Sequence, residues 1–326
     1  MSIEFPSAAH PPFEDEADQK RVWGRRWGCT SEVGILKLTL MQPPAQAVLA
    51  TDPGRNMPAG FSSDEADEGW YWQSGECAPR TDLPYREMEA QWQHLVDVLQ
   101  HHGVKVVRLN QARGRFANFT RDVAIGIDGG VVVCRLGGAT RRGEENAATR
   151  TLAGLGVPII RTITGTGLLE GGSFAWINGE TAVVGRSNCV NEEGAAQLEE
   201  VLHRQGVELI RTDLSFNEIH LDGVFNMLDA DVALVDVHRL PFSFLEALRE
   251  RQIHLVPLGA DDDRWIVNGL AIAPGKYLVS EGVSAPTRRA LETHDVEIVT
   301  VPFDKVHLNG GGIRCSTCPL IREPLG

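Results

Sequence analysis

Short β-branched runs recur along the chain, and each follows a segment in which apolar residues have helical spacing. The five runs are HGVKVVRL (102–109), LGVPIIRT (155–162), QGVELIRT (205–212), RQIHLVPL (251–258) and HDVEIVTV (294–301). Runs of this composition predict strands. Their starts lie 53, 50, 46 and 43 residues apart, which indicates a helix–strand unit repeated five times.

The segments before these strands predict the helices of the repeat. They are EMEAQWQHLVDVLQ, EENAATRTLAG, EEGAAQLEEVLH, SFLEALRE and PTRRALET. Further strand-like runs, several with a glycine turn typical of hairpins, lie at 123–136, 173–186, 232–237 and 270–280. The unit is therefore two or three strands with one helix. Because no such unit buries its apolar face alone, we expect five units to close into a ring with the site on its axis. An open α/β sheet is the alternative.

The composition of the chain argues against two classes of partner, nucleic acids and membranes. Of 326 residues, 42% are hydrophobic and 23% charged, as in ordinary globular proteins. The net charge of -13 argues against a nucleic-acid partner, which would require clustered Lys and Arg. No apolar run approaches the roughly 18–20 residues that cross a bilayer, so we expect no membrane partner.

Two segments lie outside the repeat. Residues 1–22 are acidic and lack the apolar core of a signal peptide, so they predict a flexible leader before a single domain at 23–326. Residues 42–80 are rich in Pro, Gly and acid, with WYW at 70–72. Such a long loop is a surface connection, a lid or a subunit contact, and a homo-oligomer is one expected assembly.

Six scattered cysteines and no sign of secretion favour a cytoplasmic protein.

Two motifs invite cofactor or metal hypotheses. GTGLLEGGS (165–173) has Glu170 where a dinucleotide-binding loop needs its third glycine, so that interpretation fails. The CxxC pair Cys315 and Cys318 could be a metal or redox pair, or Cys315 could be a nucleophile. A structural zinc site needs four ligands. This sequence has a single CxxC motif, and His307 is the one histidine close to it in the sequence. We therefore expect neither metal nor cofactor.

Isolated polar residues stand at strand ends. They are Asp122 in FTRDVAI, Glu170 in LLEGGSF, and His220 with Asp222 in EIHLDGVF. Strand alternation places His220 and Asp222 on one face. Two carboxylates and an imidazole near a cysteine suit a planar cation, because carboxylates pair bidentately with a guanidinium and hold its carbon for attack. Taken singly, each residue fits a structural role better: Asp122 a turn residue, Glu170 a surface acid and His220 a satisfied, half-buried histidine.

The ordered set FTRD, LEGG, HLD and GGGxRCxTCPL resembles the guanidino-group-modifying family, from about Trp27 to Arg322. This family comprises arginine deiminases, amidinotransferases and dimethylarginine dimethylaminohydrolases. The resemblance implies the pentein fold, a five-fold pseudosymmetric α/β propeller, which agrees with the repeat.

The resemblance also implies roles. Cys315 would be the nucleophile, His220 the general acid and base, and Glu170 the group that orients His220. Asp122 and Asp222 would hold the guanidinium nitrogens of a small guanidino substrate. Cys318 would then be a bystander.

Two arginines match the ligands that hold the substrate carboxylate in this family: Arg141 in ATRRGEE and Arg186 in VGRSN. Many arginine deiminases have a further arginine five residues before the nucleophile, where this chain has Gly310. Asp222 stands where dimethylarginine hydrolases of mammalian type usually have lysine, which favours an unsubstituted amidino end.

The expected function is a hydrolase that attacks the guanidinium carbon of arginine or a related guanidino compound through a covalent thiouronium intermediate on cysteine. An amidinotransferase, which would pass the amidino group to an amine, is the alternative. A guanidino-binding protein without activity would not need the nucleophile.

Overall fold

The computed structural model describes residues 11–44, 83–109, 116–138, 141–215 and 218–325. The helices are α1 (Glu16–Trp23), α2 (Tyr85–His101), α3 (Glu144–Gly154), α4 (Glu192–Arg204), α5 (Phe242–Glu250), α6 (Ala285–Glu292) and α7 (Asp304–His307). The strands are β1 (Leu36–Met41), β2 (Lys105–Arg108), β3 (Ala124–Ile127), β4 (Gly130–Val133), β5 (Ile159–Thr162), β6 (Phe174–Asn178), β7 (Thr181–Arg186), β8 (Glu208–Asp213), β9 (Phe225–Met227), β10 (Val232–Val235), β11 (His254–Pro257), β12 (Leu270–Ala273), β13 (Lys276–Ser280), β14 (Glu297–Val301) and β15 (Cys318–Arg322).

These strands form five sheets of three strands each: β15-β1-β2, β3-β4-β5, β6-β7-β8, β9-β10-β11 and β12-β13-β14. In every sheet the central strand is antiparallel to the first and parallel to the third. A parallel neighbour requires a crossover connection, and the helix between the second and third strands supplies it. The five-fold α/β repeat predicted from the sequence is confirmed.

The two ends of the chain meet in one sheet. β15, near the C-terminus, pairs antiparallel with β1, near the N-terminus, with Leu36 opposite Arg322 and Leu40 opposite Cys318. Glycine makes room for this contact: a Cβ on Gly34 would lie 2.0 Å from the carbonyl oxygen of Glu323. The fifth unit is therefore assembled from both termini.

The core follows the repeat, because each helix packs an apolar stripe against its own sheet. α4 begins at Asn191, whose side chain accepts a hydrogen bond from the amide of Gly194, and it buries Leu198, Val201 and Leu202. The largest buried core side chains include Trp92 and Trp176. Five apolar clusters result, and Cys315 belongs to the one that contains Trp92.

Part of the expected leader is ordered against the domain. Residues 16–23 form α1, and the amide of the buried Gln19 donates to the carbonyl of Gly129 at 3.3 Å. This corrects the expectation of a flexible segment for residues 16–22. Most of the predicted loop at 42–80 lies outside the described residues. No helix in the described part of the chain combines the length and the apolar character needed to cross a membrane.

Candidate active site

Five short turns carry the polar side chains of the site, and each turn precedes the first strand of a unit. These side chains are Asp122, Glu170, His220 with Asp222, Asn268 and Cys315. The leading members of the five groups are 48, 50, 48 and 47 residues apart. Because they occupy equivalent positions of the repeat, the ring brings them together at its centre.

Hydrogen bonds link these turns in a closed circle. The bonds run from Gly172 N to Asp122 Oδ1 (3.0 Å), Ser173 Oγ to Ile219 O (3.3 Å), Asn268 Nδ2 to Asp222 O (3.0 Å), Cys315 N to Asn268 Oδ1 (3.2 Å) and Arg121 N to Cys315 O (3.0 Å). Each turn is thus fixed by the next one, so the reactive groups are held by the ring rather than by a loop.

Glycines allow this close approach. A Cβ on Gly172 would lie 2.7 Å from both Asp122 Oδ1 and His220 Nδ1, and one on Gly312 would lie 2.5 Å from Asn268 Oδ1. No side chain fits at such distances. The second glycine of LEGG and the third of GGGIRC are therefore required by the packing of the site itself.

Cys315 is 7% exposed and points at a carboxylate. Its thiol lies 3.5 Å from Asp222 Oδ2 and is contacted by the amide of Asn268 at 3.2 Å. Burial raises the pKa of the Cys315 thiol, and the charges of Asp222 and Asp122 raise it further. In the absence of a bound cation the group is a neutral thiol.

His220 lies between two acids. Its Nε2 is 2.8 Å from Glu170 Oε2, and its Nδ1 is 3.6 Å from Asp122 Oδ1. Burial lowers the pKa of His220, but the charge of Asp122 and the hydrogen bonds with Cys189 and Glu170 raise it more, so that it lies well above its usual value. The imidazole therefore carries a proton at neutral pH. A protonated, oriented histidine beside a thiol is equipped for general acid catalysis.

Asp222 is the acid nearest the sulfur. Burial raises the pKa of its carboxyl group, against the effect of the positive charges of His220 and Arg314. A cation bound beside Cys315 would stabilise the ionised form of Asp222.

Arg141, expected to hold a substrate carboxylate, is buried next to these acids. It is 2% exposed, and its Nη1 lies 2.5 Å from Asp122 Oδ2. Its Nε and Nη2 donate to the two oxygens of Glu144 at 3.1 and 2.8 Å, and Nη2 also donates to the carbonyl of Phe119 at 3.1 Å. In this structure Arg141 anchors Asp122. Its binding of a substrate carboxylate remains a prediction.

Arg186, the other expected carboxylate ligand, ends β7 and pairs with surface acids. Its side chain is 37% exposed, with Nη1 2.5 Å from Glu192 Oε2 and Nε 2.7 Å from Asp213 Oδ1. The circle of turns does not include Arg186. Its role in substrate binding also remains a prediction.

The two thiols of the CxxC pair have different surroundings. Cys315 and Cys318 are both free thiols, and Cys318 lies on β15 with its sulfur 3.3 Å from the carbonyl oxygen of Ala124. In the described residues one group of metal-type donors exists instead: atoms of Glu170, Cys189 and His220 lie within 4.8 Å of one another. A metal bound there would occupy the imidazole that the site needs for proton transfer.

Three residues of the site were missed by the sequence analysis: Asn268, Cys189 and Glu144. The repeat contained a signal for Asn268, because 48 residues separate it from His220, as they separate Asp122 from Glu170. The approach of Cys189 to His220 depends on the loop after β7, and no local pattern announces it.

Comparison with known proteins identifies related sequences. The model of the family described as N,N dimethylarginine dimethylhydrolase, eukaryotic, matches residues 81–322. An arginine deiminase of Limosilactobacillus reuteri is 24% identical over 254 residues, which span 64% of this chain and 62% of the deiminase. The chain thus covers less than two thirds of that relative.

Solved structures share the fold. SxtG, an amidinotransferase from Microseira wollei in the saxitoxin biosynthetic pathway, superimposes with a TM-score of 0.69 at 15% identity, covering 91% of this chain and 98% of SxtG. DDAH from Pseudomonas aeruginosa, solved with citrulline, gives a TM-score of 0.68 at 16% identity, covering 88% of this chain and all of DDAH. The pentein resemblance drawn from the motifs is confirmed.

Proposed function

The chain belongs to the N,N dimethylarginine dimethylhydrolase family, and from this premise we propose how its own residues hydrolyse a guanidino substrate. The reaction class is hydrolysis of a C–N bond at a guanidinium carbon through a cysteine adduct. The substrate is arginine or a related guanidino compound.

One observation carries the proposal: the Cys315 thiol faces the carboxylate of Asp222 at 3.5 Å within a buried, closed circle of turns. A carboxylate next to a nucleophile opposes formation of a thiolate, so the pair is unfavourable unless a cation binds there. A guanidinium satisfies both groups, because its N–H groups donate to the carboxylate while its carbon meets the sulfur.

Substrate binding therefore activates the nucleophile. The positive charge of the guanidinium offsets the charge of Asp222 and lowers the pKa of Cys315, while the amide of Asn268 at 3.2 Å steadies the sulfur. The thiol releases its proton to solvent as the guanidinium binds, and the resulting thiolate attacks the guanidinium carbon to give a tetrahedral adduct. The C–N bond to the leaving amine then breaks as His220 donates its proton to that nitrogen, leaving a thiouronium group on Cys315.

Water completes the cycle. His220, now neutral and held by Glu170 at 2.8 Å, accepts a proton from the attacking water. The C–S bond of the resulting tetrahedral adduct breaks as its hydroxyl proton passes to the sulfur, so Cys315 returns as a neutral thiol and the product is a neutral ureido compound. No metal or cofactor is required in this scheme, because charge and proton transfer are both supplied by side chains.

Asp122 acts on the reaction mainly through His220 rather than as a direct ligand of the substrate. Both its oxygens are engaged, one by the amide of Gly172 at 3.0 Å and the other by Arg141 at 2.5 Å. Asp222 is therefore the principal ligand of the substrate nitrogens. Asp122 acts mainly by raising the pKa of His220 and contributes to the guanidinium site through its charge.

The same adduct passed to an amine instead of water would make an amidinotransferase. The sequence offers one expected pair of carboxylate ligands, Arg141 and Arg186, and a hydrolase needs only one anchored substrate. This supports hydrolysis.

The thiols bear on the cellular location of the enzyme, and the loop at 42–80 bears on its assembly. Cys29, Cys134, Cys315 and Cys318 are free thiols, which supports a cytoplasmic location. Assembly into a homo-oligomer remains a prediction, since the loop expected to contribute to it lies mostly outside the described residues.

Product analysis by mass spectrometry tests the proposal. The substrates are arginine, methylated arginines, agmatine and guanidino acids, each with and without ornithine or glycine as an acceptor. We expect a ureido product from at least one of them and a thiouronium adduct on the peptide containing Cys315 after rapid quenching. An adduct on another residue would contradict the assignment.

A further inference from the structure

Three buried arginines surround one buried glutamate beside the catalytic turns. Glu32, Arg121, Arg314 and Arg322 are all at most 6% exposed. Glu32 Oε1 lies 2.6 Å from Arg121 and 3.2 Å from Arg314, while its Oε2 accepts from the amide of Trp176 at 3.3 Å. With three positive charges and one negative charge, this cluster is short of negative charge.

Within the described part of the chain, one further acid lies close enough to act on these arginines. Asp222 is the further acid whose charge Arg121 and Arg314 both experience, but it belongs to the catalytic site, where its ligand is a cation. Burial raises the pKa of Cys29 to about 12, so its thiol remains neutral. Burial lowers the pKa of Arg322 to about 10, which leaves it protonated at neutral pH. Buried charges without partners cost free energy.

A small cavity lies within the cluster. It has a volume of about 20 Å³, and its wall includes Cys29, Ser31, Glu32, Arg121 and Arg322. This volume admits one occupant of about the size of a water molecule.

Arg322, which lines this cavity, carries an unsatisfied donor. Its Nη1 donates to the carbonyl of Gly34 at 2.7 Å, but its Nη2 is buried and has no hydrogen-bond partner among the described residues. Buried donors of this kind are normally satisfied, so the atom indicates a bound acceptor.

We propose that this cavity binds a single halide-sized monovalent anion between Arg121 and Arg322. A water molecule would satisfy the donor of Arg322 but leave the charge excess in place. A phosphate or carboxylate exceeds the available volume. A chloride ion satisfies the donor, reduces the charge excess and is only slightly larger than water. The inference depends on the fold and not on the proposed reaction.

Bromide is the probe that locates the ion. Crystals of the full chain grown or soaked in sodium bromide, measured at the bromine absorption edge, should show an anomalous peak next to Arg322 Nη2. An ordered water in the cavity with no anomalous signal would overturn the proposal. A bromide peak confined to the surroundings of Cys315 would overturn it equally, since it would assign the halide to the catalytic site.

Thermal unfolding tests the site in solution. At constant ionic strength, replacing sodium gluconate by sodium bromide should raise the Tm of the wild type in a saturable way. In Arg322→Gln the half-saturating bromide concentration should increase by about tenfold or more, because a charged donor is lost. Arg161→Gln, which removes an exposed arginine paired with Glu200, is the matched control and should respond as the wild type does. Equal responses of all three proteins would refute the site, and if Arg322→Gln does not fold, the bromide map of the wild type decides.

Discussion

At the scale of single residues, two neighbouring cysteines have opposite surroundings. Cys315 faces Asp222 and Asn268 at the centre of the ring, whereas Cys318 lies on β15 and donates to the backbone carbonyl of Ala124 in β3. The CxxC spacing alone does not distinguish the two thiols. β15 begins at Cys318, so the second thiol lies in a strand beside β3, whereas Cys315 lies in the turn before that strand. The motif resemblance assigns the nucleophile to Cys315, and the different surroundings of the two thiols support that prediction.

This difference is testable by substitution. Cys315→Ser should reduce turnover to background, because no other side chain can form the adduct, while the far-UV circular dichroism spectrum stays unchanged. Cys318→Ser is the matched control and should keep most of the activity. Equal losses in both variants, or loss of activity on adding a chelator, would indicate a metal or redox pair instead.

The acids at the site make a second residue-scale prediction. Asp222→Asn should lower kcat/KM by about 10²-fold or more, since it removes a charged partner of the guanidinium at the reacting carbon. Asp122→Asn should cause a loss of the same order, partly through His220. Asp231→Asn, at an exposed acid, should be unaffected. Near wild-type kinetics for Asp222→Asn would exclude it as the guanidinium ligand.

The protonation of His220 can be observed directly. Because Asp122 and Glu170 raise its pKa, the imidazole should titrate above the usual value of 6.5, remaining protonated at neutral pH and losing its proton only on alkaline titration. NMR of labelled histidine in the Cys315→Ser variant measures this midpoint. Asp122→Asn should lower it by about one unit or more, since it removes the negative charge. A midpoint at or below 6.5 in the variant with Asp122 intact would contradict the proposed acid.

At the scale of elements, the repeat could be predicted well. The helix predicted at EENAATRTLAG coincides with α3 (Glu144–Gly154), because its apolar spacing and its sheet partner agree. β1 and β15 were not anticipated as one pair, since their contact joins positions about 280 residues apart in the sequence. Local pattern contains no information on such a pairing, and Cys189 was missed for the same reason.

Gly172, which lies between Asp122 and His220, gives a prediction at the scale of elements. Gly172→Ala would place a methyl group 2.7 Å from Asp122 and His220, so the turn must shift. We expect a loss of stability of about 1–3 kcal/mol and at least about a tenfold lower kcat/KM. Gly154→Ala is the matched control: nothing lies within 4 Å of its Cβ, and alanine should leave stability unchanged or raise it by up to about 1 kcal/mol. Chemical denaturation and steady-state kinetics measure both effects.

At the scale of the whole molecule, the ring makes the site. Each unit contributes one turn, and the last unit exists only because β15 from the C-terminal end completes the sheet begun by β1. The nucleophile is placed in the turn immediately before β15. Pairing of β15 with β1 therefore closes the ring and also completes the active site. The motif GGGIRCSTCPL, which carries Cys315, lies where the ring closes.

The central claim is that water, rather than a second amine, releases the product from Cys315. The direct measurement is turnover of a single active guanidino substrate in water labelled with 18O, with no amine acceptor present. We predict that ammonia or an alkylamine is released and that one 18O atom enters the ureido product. Amine release that depends strictly on an added acceptor, with no label in the product, would contradict hydrolysis and show an amidinotransferase built on the same fold and the same cysteine.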